Sequence, residues 1–238
     1  MIRIYLGKLG SGKSLHAVKE MKHNKSKLLY HTNIAINFPR IRPLKENHII
    51  EEFIGLDAKK KPKTDYRLNW GYWRSQKKPL HIIWDEIHLT ASSRTSMSKK
   101  NLIMVEFVAM ARRITGMDEA GYGTLTFIAQ TDFSIEKYIR HLASEIIYHI
   151  MYWNQYCKDC GISERRNSEG RQTRNCNYCL SDNTKKETFF CVVYRFLSFL
   201  HYEAWSSGWE GKWYESKEVI VDIEEYFDDY DTLQEVSS

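Results

Sequence analysis

No stretch of this 238-residue sequence holds the roughly 20 consecutive apolar residues that a bilayer-spanning helix needs. A transmembrane anchor is therefore not expected. The opening MIRIYLGKLG carries no export signal, because its apolar run stops at Gly7 and Lys8. The expected location is cytoplasmic. Internal repeats are absent, which excludes a repeat architecture, and no long low-complexity linker separates one part of the chain from another. Cysteine is scarce: of the five present, four fall into two C-x-x-C pairs.

The 42% apolar and 27% charged content is that of a globular chain, and 238 residues suffice for one large domain with a small appendage. The net charge of +5 conceals an asymmetry. Residues 215–235 hold nine acidic side chains against the single base Lys217, which leaves 34 basic and 21 acidic residues elsewhere. So basic a body suits a polyanion, and nucleic acid is the usual one. The acidic end reads as a solvated, partly disordered tail.

Along the first 150 residues short apolar strands alternate with helical patterns, the signature of an α/β fold built on a mainly parallel sheet flanked by helices. IRIYL (2–6), KLLYHTN (27–33), PLHIIWDE (79–86), GTLTFIAQT (123–131) and EIIYHIMYW (145–153) read as strands. Residues from about Ser14 to Met21, VEFVAMARRI (105–114) and SIEKYIRHLA (134–143) read as helices. Residues 55–79, with the lysine cluster Lys59–Lys63, read as a polar surface excursion. ETFFCVVYRFLSFL (187–200) is β-prone, and YEAWSSGWEGKWYE (202–215) is expected to form a strand and loop on the sheet. Cys191 is expected in the core.

The first strand runs into Gly7-Lys8-Leu9-Gly10-Ser11-Gly12-Lys13-Ser14, which fits G-x-x-x-x-G-K-[ST]. Gly7 and Gly12 let the backbone turn its N–H groups inward around phosphate oxygens, and the following helix offers its N-terminus to the same anion. The pattern assigns Lys13 to the β- and γ-phosphates of ATP and Ser14 to Mg²⁺. Such a loop requires a carboxylate at the end of a neighbouring strand, and LHIIWDE supplies Asp85 for the metal. Glu86 follows directly, placed to activate an attacking water, a pairing better suited to hydrolysis than to transfer onto a small acceptor. Gln130, ending LTFIAQ, is a candidate sensor of the γ-phosphate or the lytic water. Arg112 and Arg113, among several arginines that include Arg94 and Arg140, are candidates for an arginine that completes a neighbouring subunit's site. The sequence shows no lid with clustered arginines, which disfavours a small-molecule kinase.

Cys157-Lys158-Asp159-Cys160 and Cys176-Asn177-Tyr178-Cys179 have the spacing of a zinc ribbon or knuckle. Each pair turns two thiolates to one side, and together they make a closed tetrahedral site that is structural rather than catalytic. Some 20 residues cannot build a core, so the metal would supply the folding energy.

GKLGSGKS, HTNI, IIWDEIH, ARRITG, IAQTD and IEKYIRHLA together resemble Zot-like ATPases, the assembly proteins of filamentous phages. More broadly they resemble the FtsK–HerA branch of P-loop ATPases, which includes genome-packaging ATPases of membrane-containing viruses. The resemblance covers roughly residues 1–150. It implies a homo-oligomeric ring, often a hexamer, that moves DNA or drives virion morphogenesis, with viral capsid or portal proteins and a virion membrane protein as further partners. By position it assigns nucleotide and metal to Lys13 and Ser14, metal to Asp85, water activation to Glu86 and sensing to Gln130. Zot-like proteins typically carry a membrane span after the ATPase domain; here a cysteine module and an acidic tail follow instead, which favours a packaging motor over an anchored extrusion machine. The expected organisation is an ATPase core at 1–153, a zinc module inserted at 154–182, completing strands at 183–214 and the tail at 215–238. ATP-driven DNA packaging is the leading expectation; the alternatives are a virion assembly or secretion ATPase acting on coat protein and a nucleotide-gated scaffold.

Overall fold

The computed structural model describes all residues except 24–27, 37, 39, 57–58, 87–97, 119–120, 133–134, 136, 171–174, 222 and 227–238. The chain opens with β1 (Ile2–Leu6) and α1 (Lys13–Lys22), then β2 (Leu29–Thr32), β3 (Ile41–Pro43) and α2 (Glu46–Ile49). A hairpin of β4 (Ile50–Leu56) and β5 (Pro62–Leu68) leads through α3 (Trp70–Ser75) to β6 (Leu80–Trp84). After α4 (Lys99–Ala109) and α5 (Ala111–Thr115) come the two-residue strands β7 (Met117–Asp118) and β8 (Gly121–Tyr122), then β9 (Leu125–Ile128) and α6 (Lys137–Leu142). The remainder holds β10 (Glu145–Cys157), β11 (Ser163–Asn167), β12 (Thr184–Phe196), α7 (Phe199–Ser206) and β13 (Ser216–Ile220).

One large sheet organises these elements, in the order β13-β12-β10-β1-β9-β6-β2-β3, with β11 paired to β10. From β10 to β3 every neighbour is parallel, whereas β12, β13 and β11 join antiparallel. Successive residues of a strand face opposite sides, and β1 shows the consequence. Ile4 and Leu6 enter one core with Trp73, Phe107 and Phe127, while Tyr5 enters the other with Ala17, Val18 and Met21 of α1. Both faces of the sheet are therefore covered, as a parallel sheet requires. Burial of side chains such as Ile4 and Leu6 stabilises each by about 1.5–3 kcal/mol. Lys19 and Lys22 in the last turn of α1 suit its negative end.

Several local expectations change. Residues 55–79 are not merely polar excursion, because the hairpin leads into α3, whose Trp73 is fully buried and lies 5.5 Å from the Phe107 ring. VEFVAMARRI divides at Met110 into α4 and α5. Residues 199–206 form a helix rather than a strand: Ser198 caps it by accepting from the His201 N–H, and Phe199, Tyr202 and Ala204 form its buried side. Part of the acidic segment is docked. Residues 216–220 pair with β12 as β13, and Tyr226 is buried against α1, within 5.1 Å of the Lys22 ammonium. Residues 227–238 lie outside the described residues. Among the described residues, no helix is long and apolar enough to cross a membrane.

Candidate phosphate-loop site

The topology brings three strand ends together. β9 lies between β1 and β6, so the loop after β1, Gln130 after β9 and Asp85 after β6 all emerge at the carboxyl edge of the parallel sheet. Gly7 has φ +144°, and a Cβ there would lie 2.5 Å from both the His149 carbonyl and Ser11 Oγ. Only glycine fits. Gly12 closes the loop in the left-handed region at φ +90° and starts α1. Gly10 also has positive φ, and Ser11 N–H donates to the Lys8 carbonyl at 3.0 Å. Leu9 is exposed on the outside of the turn.

Lys13 is buried with its Nζ inside the loop, donating to the carbonyls of Gly7 at 2.7 Å and Lys8 at 3.0 Å and to Ser11 Oγ at 3.3 Å. Burial lowers its pKa, opposed by the charges of Asp85 and Glu86. Ser14 donates its hydroxyl to Asp85 Oδ2 at 2.5 Å, across 71 residues of sequence. Asp85 is itself buried; burial raises its carboxyl, while bonds from Ser14 and from the Glu86 N–H pull the other way. Glu86 adopts φ +53°, a conformation costly to a residue with a side chain and concentrated at functional sites. Gln130 donates to Glu86 Oε1 at 3.3 Å. Lys13, Ser14, Asp85, Glu86 and Gln130 thus form one connected group.

The arginines do not join it. Arg112 and Arg113 are exposed on α5, and Arg112 lies near enough to the N-terminal amine at Met1 to help lower its pKa, after burial and Arg3. Met1 precedes β1 whereas the loop follows it, so the length of β1, about 17 Å at about 3.3 Å per residue, separates the arginines from their own phosphate loop. Arg94 falls outside the described residues.

Three contributors escape a reading of the sequence. Asn33, directly after β2, donates through Nδ2 to the Asp85 carbonyl at 2.8 Å and accepts from the Asp85 N–H at 2.7 Å. This pair of hydrogen bonds fixes the end of β6. Its signal in sequence is an amide residue at the carboxyl end of a strand adjoining the Asp85 strand. Behind the loop, His16 Nδ1 meets His149 Nε2 at 2.8 Å, with the Tyr5 ring stacked on His16. Burial lowers both imidazoles, His149 most. Glu169, beyond β11, receives Lys8 Nζ on its carbonyl at 2.8 Å. Cys191 is buried, its thiol pushed up to about 12 by burial, and donates to the Ser11 carbonyl.

A second cluster lies up the arm that β10 and β12 make as an antiparallel pair. The Sγ atoms of Cys157, Cys160, Cys176 and Cys179 lie within 4.8 Å of one another. The Cys157–Cys179 and Cys160–Cys176 separations of 3.5 and 3.6 Å exceed a disulfide's roughly 2.05 Å. Tetrahedral Zn²⁺ with Zn–S of about 2.3 Å sets its sulfurs about 3.8 Å apart, so the four thiols fit that ion. Within the cluster the thiols diverge: backbone N–H groups of Cys179 and Tyr178 draw Cys176 down to about 7, whereas Cys160 and Cys179 are raised. Among the residues between the pairs, Arg165 and Arg166 sit on β11, whereas Arg171 and Arg174 lie outside the described residues.

The family model described as "Zonular occludens toxin (Zot)" matches residues 1–152. The chain belongs to the Zot family. No curated protein matches it. Among solved structures it is similar to the N-terminal domain of zonular occludens toxin from Neisseria meningitidis, at 17% identity and TM-score 0.48, covering 97% of this chain and 98% of that one. It is also similar to the genome packaging NTPase B204 of Sulfolobus turreted icosahedral virus 2. The complex with AMPPCP gives 13% identity and TM-score 0.39 over 92% of this chain and 96% of that one. The complex with ATP-gammaS gives 16% identity and TM-score 0.36 over 62% and 74%.

Proposed function

We propose that the protein is an ATP hydrolase that works in a ring of its own copies to drive DNA into a viral particle. The observation that carries this reading is the 2.5 Å bond between Ser14 and Asp85, with Glu86 and Gln130 joined beside it at the mouth of a glycine-rich loop. In this reading the amides of residues 8–14 and the Lys13 ammonium bind the triphosphate of ATP. Ser14 and Asp85 would hold Mg²⁺, which supplies charge neutralisation at the phosphates. Glu86 takes a proton from the attacking water, and Gln130 fixes its carboxylate. Arg112 or Arg113, remote from the loop of their own chain, serve the loop of a neighbouring copy, in a ring whose expected size is six. The four cysteines would hold Zn²⁺ in a closed, structural site. The basic body supports DNA as the polymer moved, with capsid or portal proteins at the receiving end. A host-cell cytoplasmic location, or association with the virion, accompanies this role.

Membership of the Zot family supports a second reading, in which the same hydrolysis remodels or secretes coat protein during virion assembly. ATP turnover of the purified protein, measured with and without DNA, tests both. DNA should raise turnover, and Glu86→Gln should cut it by at least about 100-fold, the scale of a lost general base, while nucleotide binding persists. Indifference to every DNA with stimulation by coat protein would favour the second reading. Absence of hydrolysis in a single turnover would leave a nucleotide-gated scaffold.

A further inference from the structure

β11 runs antiparallel to β10 from the cysteine cluster back toward the phosphate loop, with Ser163 opposite Tyr156 and Asn167 opposite Tyr152. Ser168 then bonds twice to Met151, its N–H donating to the Met151 carbonyl and its Oγ accepting from the Met151 N–H. Met151 stands only three residues past Tyr148, the partner of Leu6 at the end of β1. The turn after β11 is thus held level with the loop. There Lys8 Nζ lies 2.8 Å from the Glu169 carbonyl and 3.6 Å from its Oε2. Glu169 Oε1 is buried, and the carboxylate raises the Tyr148 phenol, after burial itself. Its charge also reaches Lys13. Ser168 and Gly170 line a cavity of about 340 Å³ whose other walls are Lys8, Leu9, Gln130 and Thr131. The turn after β11 therefore forms one wall of this cavity, and Glu169, between the two residues that line it, holds Lys8 of the opposite wall.

We propose that Glu169 is a displaceable anion that holds Lys8 until a polyphosphate takes its place, so that nucleotide occupancy is passed to the turn that follows β11 on the cysteine-bearing arm. The proposal rests on the phosphate loop binding nucleotide. A carboxylate and a phosphate oxygen compete for the same ammonium, and both cannot sit against it without repulsion. The Lys8–Glu169 pair is part exposed, so its Coulomb opposition to a ligand is modest. Release of the side chain leaves the backbone ladder of β11 in place, and the motion transmitted is that of the turn.

Equilibrium titration of the full chain with a non-hydrolysable ATP analogue and Mg²⁺, wild type against Glu169→Gln, tests this. The amide keeps the shape and removes the charge, and Glu187→Gln, in the exposed pair with Lys185, controls for loss of one carboxylate. Glu169→Gln should bind about 2- to 5-fold tighter, the range of one partly screened charge, with Glu187→Gln unchanged. In the wild type the analogue should speed amide hydrogen exchange over the turn residues 168–170, whose N–H groups bond to Met151 and Asn167, and in Glu169→Gln it should not. Equal or weaker binding by Glu169→Gln, or exchange in that segment indifferent to nucleotide, would overturn the proposal while leaving the nucleotide reading intact. Failure of both proteins to bind would remove that reading, and the proposal with it.

Discussion

Asn33 offers the most direct test of how the site is built. Its side chain satisfies both backbone groups of Asp85, at 2.8 and 2.7 Å, and Asp85 is 3% exposed. Alanine would strip both bonds and leave a buried N–H and carbonyl short of partners. Each bond contributes about 0.5–1.5 kcal/mol net, and an orphaned buried group costs somewhat more. Asn33 is itself exposed, so water can reach part of the gap. A loss of about 2 kcal/mol in unfolding free energy is expected for Asn33→Ala. Asn33→Asp separates this account from a generic surface effect. The aspartate still accepts from the Asp85 N–H, yet it sets a carboxylate oxygen against the Asp85 carbonyl, beside the charges of Asp85 and Glu86. It should therefore cost more than alanine at pH 7, and because that repulsion raises the new carboxyl's folded pKa above its unfolded value of about 3.9, the excess should shrink as the pH falls toward about 4. Urea unfolding of the three proteins at pH 7 and pH 4 measures this. A loss below about 0.5 kcal/mol for alanine, or aspartate milder than alanine at pH 7, would refute the reasoning.

Much of this site is legible in the sequence because its chemistry is local. The glycines and Lys13-Ser14 lie within eight residues, and their geometry follows from the loop that those residues must form. Asp85 and Glu86 can be found because an apolar run that ends in carboxylates marks the carboxyl end of a buried strand. The four cysteines announce their cluster through spacing alone. Legibility ends where function depends on strand order. Asn33 reaches Asp85 only because β2 adjoins β6, and Glu169 reaches Lys8 only because β11 folds back along β10. Neither adjacency is written in any run of residues. Arg112 and Arg113, candidates for a neighbouring copy's site, lie on α5, with Arg112 near the amino end of β1 rather than beside the loop of its own chain. Residues 199–206 read as strand because aromatic residues favour strands, yet the Ser198 cap and the buried side formed by Phe199, Tyr202 and Ala204 decide for a helix.

Two further outcomes are expected. Removal of the metal by a chelator should release about one zinc per chain, the count for one four-cysteine site, and should raise amide exchange over residues 157–184; Cys176→Ser should do the same, and an arm indifferent to chelation would count against zinc. Stability should also fall with acid below neutrality, through buried histidines. Burial lowers His31 and His81 to about 4 each, from an ordinary value of about 6.5. Both are neutral in the folded chain, where His31 Nδ1 meets the Tyr72 hydroxyl at 3.2 Å and His81 Nδ1 meets Thr124 Oγ1 at 2.5 Å. Once unfolded, each takes up a proton as the pH drops through about 6.5. A lowered folded value means that the unfolded chain binds more protons in this window, so the contribution is whole above pH 6.5 and drains away toward pH 4. Each histidine adds a slope of at most about 1.4 kcal/mol per pH unit. Urea midpoints taken from pH 7.5 to 4.5 should decline through that window, and His81→Asn, which holds no proton in either state, should flatten the curve even where it lowers stability overall. An unchanged slope in that variant would show that the histidine at 81 is not part of the pH response.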